Sequence, residues 1–301
     1  RDRLRSRGLG DVYKRQLVDH VIFSPRVNVR FNPSEAVNLR VSYAGGYRAP
    51  QAFDEDMHIA IVGGKRVRIR LADDLREERS HSVSLSADLY HTFGKVQTNL
   101  LVEGFYTILD DVFALRDMDD AADGGKVKER YNGSGATVRG FNVEGRAAFT
   151  RWFELQAGVT LQQSRYKEPE FWSEDAEVPP VRRMFRTPDT YGYFTASFKP
   201  VRNFTADLSG TCTGSMLVQH MAGSGVAQDV AVSTPSFFDM NIRLSYDVRI
   251  YKEITMQLYG GVQNLFNAYQ KDFDKGVDRD SGYIYGPSLP RSWFVGAKFS
   301  F

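Results

Sequence analysis

From Pro25 onward the chain alternates apolar and polar residues in runs of about ten, the period that sends successive side chains to opposite faces of a β-strand. The segment 238–250 is the clearest case. Phe238, Met240, Ile242, Leu244, Tyr246, Val248 and Ile250 share one face, and Asp239, Asn241, Arg243, Ser245, Asp247 and Arg249 share the other. Phe153, Leu155, Ala157, Val159 and Leu161 divide from Glu154, Gln156, Thr160 and Gln162 in the same way, as do Val83, Leu85, Ala87 and Leu89 from Ser82, Ser84, Ser86 and Asp88. Such runs predict about eleven strands, starting near Arg26, Val37, Ser80, Lys95, Lys126, Phe153, Arg186, Asn203, Pro235, Glu253 and Pro290. No helix-period segment interrupts them.

The connections alternate between short and long. Tight turns are predicted near Asn32–Ala36, Phe93–Lys95, Arg151–Trp152, Pro200–Arg202 and Tyr251–Lys252, and long segments at Arg48–Arg79, Asp110–Val127, Lys167–Phe185, Ser215–Thr234 and Ala268–Leu289. Short turns at one end and long loops at the other are the signature of a transmembrane antiparallel up-and-down β-barrel, with the short turns periplasmic. A soluble sandwich or propeller also alternates. It has no reason to alternate its loop lengths, or to gather aromatics near strand ends as Phe93, Phe149, Trp152, Phe153, Tyr251 and Trp293 do here. An odd strand count cannot close a bacterial single-chain barrel, so eleven strands imply part of a larger one.

Composition adjusts this picture only slightly. The 301 residues carry 39 basic and 37 acidic side chains, a net charge of +2, which gives no global pull toward nucleic acid. The mean hydropathy of −0.39 would suggest a soluble protein, but a membrane strand needs only alternate apolar residues. The single cysteine, Cys212, excludes an internal disulfide and reads as a small apolar wall residue. Residues 1–16, RDRLRSRGLGDVYKRQ, share none of the pattern and resemble a translated sequencing adapter; the barrel segment is taken as 17–301. No G-x-S-x-G, H-E-x-x-H, Walker A or paired-cysteine motif is present, so neither catalysis nor a cofactor is expected.

The closing residues PRSWFVGAKFSF put Trp293, Val295, Ala297, Phe299 and Phe301 on one face, after Gly286-Pro287, and resemble the last strand of TonB-dependent receptors. Gly261-Val262-Gln263-Asn264-Leu265-Phe266-Asn267 is similar to that family's G-V-x-N-L-F-N segment. Gly46-Tyr47-Arg48-Ala49-Pro50 and Gly140-Phe141-Asn142-Val143-Glu144-Gly145 also resemble family segments, whereas Leu75-Arg76-Glu77-Glu78 departs from L-x-P-E by lacking the proline. The family's barrels have about twenty-two strands, so the resemblance implies the C-terminal half of one, with the plug and coupling box outside this sequence. It implies energised import through the outer membrane of a scarce ligand such as a ferric siderophore or cobalamin. A passive porin or a structural barrel is the alternative.

The candidate site residues follow from these assignments. Arg40, Glu144, Arg146, Asp239 and Arg243 fall on the inward face, as do Asp88, Glu103, Glu154, Asp207 and Asp247, and are expected to pair with neighbouring strands or the plug. In a long loop, Phe171 and Trp172 lie close in sequence to Arg182, Arg183 and Arg186, a mixture suited to stacking on a planar ligand and holding its anionic groups, with interface aromatics and lipid-phosphate contact as the favoured alternative. Lys65, Arg66, Arg68 and Arg70 are expected in an extracellular hairpin. Met57-His58 and His220-Met221 permit a metal ligand in principle, and Asp110, Asp111, Asp117, Asp119 and Asp120 read as a solvated acidic loop; no metal site is assigned, although the ligand can itself be a metal complex. Expected partners are outer-membrane lipid and lipopolysaccharide, the TonB complex through the plug, and a surface lipoprotein.

Overall fold

The computed structural model describes residues 20–50, 67–118, 126–173, 175–223, 225–251, 253–287 and 289–301. Among these residues there is no helix. The first strands are β1 (Arg26–Ser34), β2 (Val37–Arg48), β3 (Val67–Leu71), β4 (Glu78–Phe93), β5 (Val96–Asp110), β6 (Phe113–Met118), β7 (Lys126–Asn132), β8 (Ala136–Thr150) and β9 (Phe153–Glu170). They are followed by β10 (Val181–Arg183), β11 (Thr190–Val201), β12 (Phe204–Thr213), β13 (Leu217–His220), β14 (Val230–Ser233), β15 (Phe237–Tyr251), β16 (Ile254–Gln263) and β17 (Ser292–Ser300).

Eleven of them form one antiparallel wall in the order β1-β2-β4-β5-β8-β9-β11-β12-β15-β16-β17, with β10 added to β9. The hairpins β1–β2, β4–β5, β8–β9, β11–β12 and β15–β16 are each closed by two residues, and the five other connections are long, as the alternation predicts. Two boundaries move. Lys126 does not open a wall strand: Lys126–Asn132 pairs antiparallel with β6 and parallel with β3 in a separate three-stranded sheet, and the wall resumes at Ala136. The strand expected from Arg186 starts at Thr190, because Arg186 takes a φ of 55° and Pro188 cannot donate to a ladder. Val67–Leu71, part of the segment expected in an extracellular hairpin, pairs parallel with β7 among the described residues. Met57, His58, Lys65, Arg66, Asp119, Asp120 and residues 1–16 lie outside the described residues.

Register fixes two chemically distinct faces. Leu85, Gly104, Phe141 and Leu161 stand opposite one another across β4, β5, β8 and β9 on the apolar face. One residue along, Ser86, Glu103, Asn142 and Thr160 form the matching row on the polar face. The polar row is stitched laterally: Asn142 Nδ2 donates to Glu103 Oε1 at 2.9 Å and Thr160 donates to Asn142 Oδ1 at 2.8 Å. The apolar row has no covering layer among the described residues; Leu85 is 61% exposed and Phe141 63%. Burying large side chains drives folding in water, so an open apolar face of this extent calls for an apolar surrounding. The buried hydrophobic cluster sits elsewhere, in the long connections, around Met216, Val218 and Tyr283.

On β9 the apolar band runs from Phe153 to Leu161 and gives way to Gln163, Arg165 and Lys167 toward the long-connection end. That band measures about 26 Å at roughly 3.3 Å per residue, close to the height of a membrane barrel's apolar belt. Aromatics mark its other edge, where Trp152 meets Phe198 edge-on at 5.2 Å and Phe149 meets Phe153 at 5.3 Å.

Candidate binding cavity among the long connections

The three-stranded sheet, the outer end of β9 and the segment after it enclose a cavity of about 490 Å³. Its aromatic wall comprises Phe113, Tyr131, Tyr166, Phe171, Trp172 and Phe185. Its basic groups are Arg48, Arg116, Lys128 and Arg130, against one lining carboxylate, Glu170. Gln219 and Met221 complete one side.

Each part is held by local structure. The backbone N–H of Phe113 donates to Glu78 Oε1 at 2.5 Å, and Asn132 Nδ2 donates to the carbonyls of Arg76 and Asp111 at 2.9 and 2.8 Å, which pins the small sheet over β4. The guanidinium carbons of Arg48 and Arg130 lie 5.4 and 5.9 Å from the Phe113 ring centroid, and that of Arg116 lies 5.0 Å from Tyr131, within cation–π range. Arg116 is oriented by a hydrogen bond from Nε to Glu129 Oε2 at 2.8 Å, and Arg48 by Glu78 at 3.5 Å. Trp172 meets Phe185 edge-on at 5.4 Å and donates from Nε1 to the Pro179 carbonyl at 3.3 Å.

Burial pushes the Glu170 carboxyl above its usual range, and it raises the Tyr131 hydroxyl as well, with the nearby Glu170 charge adding to the second shift. The cavity therefore offers flat rings and positive charge together. That combination suits a planar, anionic ligand.

The sequence-derived candidates divide between cavity and scaffold. Phe171 and Trp172 line the cavity; Arg182, Arg183 and Arg186 are not part of its lining. Arg182 donates to the Lys167 carbonyl at 3.2 Å, and Arg183 donates to the Ser215 carbonyl at 2.8 Å and pairs with Asp189 at 3.0 Å. Arg186 donates to the carbonyls of Ile284, at 2.7 Å, and Gly282. Sequence reasoning missed the four basic lining residues. They come from three separate segments, and Gly46-Tyr47-Arg48, which was noticed, gave no hint that Arg48 would meet β6 and β7.

The five wall residues lie on the polar face of the sheet. Glu144 accepts from Gln156 at 2.8 Å, Arg146 Nε donates to Glu154 at 2.6 Å, and Arg243 donates to Gln257 at 3.2 Å with its guanidinium 4.6 Å from the Tyr259 ring. Arg40 stands between Arg30 and Ser86, and one carboxylate oxygen of Asp239 is buried without a hydrogen-bond partner. Cys212 is exposed, in register with Phe238 on the apolar face. His220 faces both carboxylate oxygens of Asp274, at 3.0 and 3.1 Å, and stacks on Tyr283 at 3.7 Å. Asp110 pairs with Lys167, and Asp111 with Arg76 at 3.0 Å. Among the described residues no cluster of three or more His, Cys, Asp or Glu is arranged to hold a metal ion.

A family model described as TonB dependent receptor-like, beta-barrel, matches residues 5–265. The chain belongs to the TonB-dependent receptor β-barrel family. Solved structures of the ferric-catecholate import receptor Fiu from K12 E. coli and a G324V mutant of the ferric enterobactin receptor PfeA from Pseudomonas aeruginosa share its fold. The former is 15% identical with a TM-score of 0.59, covering 90% of this chain and 34% of its own; the latter is 16% identical with a TM-score of 0.60, covering 91% and 39%. The copper transporter OprC is 12% identical with a TM-score of 0.62, covering 92% and 39%. This chain thus spans well under half the length of these TonB-dependent receptors. A search of curated proteins finds no match.

The family-like G-V-Q-N-L-F-N segment is the corner where β16 leaves the wall. Gly261 is packed so closely that a Cβ would stand 2.1 Å from the Ile242 carbonyl oxygen. Asn264, 3% exposed, takes a φ of 49° and donates to the carbonyls of Ala268 and Leu289 at 2.9 and 3.0 Å while accepting from the Ala268 N–H at 2.7 Å. Asn267, with a φ of 56°, accepts from the Arg291 N–H at 2.9 Å and so fixes the entry to β17.

Proposed function

We propose that this chain forms the wall and outer loops of an outer-membrane receptor that imports an anionic aromatic complex, such as a ferric siderophore, with energy supplied through TonB. The observation that carries this reading is the cavity, where six aromatic and four basic side chains meet above the polar face of the wall. A binding site at that end captures ligand from outside, and the laterally hydrogen-bonded polar face supplies a wall along which a charged complex can pass. The uncovered apolar band supports the membrane setting. A tightly held ligand leaves slowly, which is the physical need for coupled energy. The ferric-catecholate import printed for Fiu and the ferric enterobactin printed for the receptor PfeA agree with this reading.

The test uses the full-length protein, in the outer membrane of a host that lacks other catecholate receptors, with ferric enterobactin as probe. Saturable binding with quenching of tryptophan emission, and uptake of labelled iron that stops when TonB is deleted, are expected. Uptake that is non-saturable and indifferent to TonB would replace this reading with a passive porin.

A further inference from the structure

The hairpin of β13 and β14 stands apart from the wall as a two-stranded sheet of four residue pairs. A lone ribbon of that size is marginal at best in water. Its base is tied to the connection before β11, where the Arg186 N–H donates to the Leu217 carbonyl at 2.8 Å. At its outer end successive side chains divide: Gln219 and Met221 line the cavity, whereas Val218 and His220 turn the other way and are buried.

The buried side meets the long connection between β16 and β17 in a closed circuit of hydrogen bonds. His220 Nε2 donates to both carboxylate oxygens of Asp274, at 3.0 and 3.1 Å, and Asp274 also accepts the Asp280 N–H at 3.1 Å. Asp280 returns to the hairpin by accepting the Met221 N–H at 2.8 Å. The imidazole stacks on the Tyr283 ring at 3.7 Å, and Tyr283 and Tyr285 both donate to Asp272. Gly225 is packed so closely on Asp274 that a Cβ there would collide with its carboxylate. On the hairpin's other flank Asp229 accepts the Ala222 N–H at 2.7 Å and the hydroxyl of Ser173, itself a cavity residue, at 2.6 Å.

Apolar burial of Met216 and Val218 against Tyr283 is non-directional and would let the hairpin slide. The circuit is directional. Both side chains of the His220–Asp274 pair are buried, so water competes little for the bond. Gln219 and Met221 flank His220 in sequence, and whatever fixes the imidazole fixes both of them. We infer that His220 is a positioning residue of the binding cavity: gripped by Asp274 behind the strand, it sets Gln219 and Met221 against the ligand in front. The inference rests on the import reading for its ligand, whereas the circuit can be tested without one.

Titration of the full-length protein with ferric enterobactin, read by tryptophan quenching, tests it. His220→Phe keeps the stacked ring but removes the donor, and is expected to weaken binding about fivefold by loosening a pre-organised site. His220→Gln, whose amide can reach Asp274, should recover part of the loss. In a Gln219→Ala/Met221→Ala background His220→Phe should weaken binding no further, because residues that act through one another are not additive. Full additivity in that background, or an affinity unchanged by His220→Phe, would overturn the inference. Amide exchange of the unliganded protein is the second arm: His220→Phe should speed exchange at Met221 and leave β15 and β16 unchanged. If the unsubstituted protein does not bind ferric enterobactin, the import reading falls; faster exchange at Met221 then keeps the positioning role, and unchanged exchange ends it.

Discussion

Asn241 accepts the backbone N–H of Asn264 at 2.9 Å, tying the outer end of β15 to the corner at which β16 leaves the wall. Asn264 in turn bonds both Ala268 and Leu289, so one buried amide holds the departure and the return of the last long connection. Replacing Asn264 by Ala strands a buried N–H and two carbonyls, at a cost of about 2–4 kcal/mol. Urea unfolding of the detergent-solubilised protein should show a lowered midpoint with an unchanged slope. An unaffected midpoint would mean that water takes over these bonds.

Binding in the cavity should depend on rings and charges separately. Trp172→Ala and Lys128→Gln are each expected to weaken ferric enterobactin about tenfold, about 1.4 kcal/mol, the scale of one cation–π or charge-assisted contact. Added salt should erode the affinity of the unsubstituted protein more than that of Lys128→Gln. Titration by tryptophan quenching at two ionic strengths, with intrinsic iron absorbance as readout for the tryptophan variant, checks both.

Glu170 gives the cavity a pH dependence of definite sign. Burial raises its carboxyl above the ordinary 4.5, so the folded protein takes up this proton more readily than the unfolded chain. As pH falls through that raised value the negative charge leaves the cavity, the folded state gains stability relative to higher pH, and binding of an anion strengthens. Glu170→Gln should bind ferric enterobactin about two- to fivefold more tightly at neutral pH and flatten the profile above pH 4.5. A profile unchanged by the substitution would place the titrating group elsewhere.

Arg186 should behave as a brace. Its guanidinium spans to the carbonyls of Ile284 and Gly282, linking the connection before β11 to the one before β17. Arg186→Ala is expected to destabilise that contact by about 1–3 kcal/mol, the scale of a hydrogen bond to a charged group. Amide exchange should speed up near Gly282 and Ile284, with the wall strands unaffected. A loss of affinity without faster exchange there would instead put Arg186 in contact with ligand.

The wall was legible in the sequence because each strand carries its own instruction: Phe238 to Ile250 alternates without reference to any other segment, and the two-residue turns follow where alternation stops. The loops were not, because their structure is a matter of distant pairing. Lys126–Asn132 alternates like a wall strand, yet its partners are Val67–Leu71 and Phe113–Met118, and nothing local distinguishes the two outcomes. The same limit applied to the cavity. Phe171 and Trp172 stood out as loop aromatics, but the arginines grouped with them, Arg182, Arg183 and Arg186, bind backbone carbonyls, and the cations that face them arrive from Arg48, β6 and β7.

The parallel pairing of β3 with β7 joins two connections that leave the wall at different places. Val67–Leu71 has its ladder partner only when Lys126–Asn132 is also in place, so the two loops form one inheritable module. Exchange of either loop alone between relatives would leave an unmatched strand edge beside the binding cavity. A change of ligand by recombination should therefore carry both segments together, with β4 and β5, the hairpin between them, travelling as a passenger.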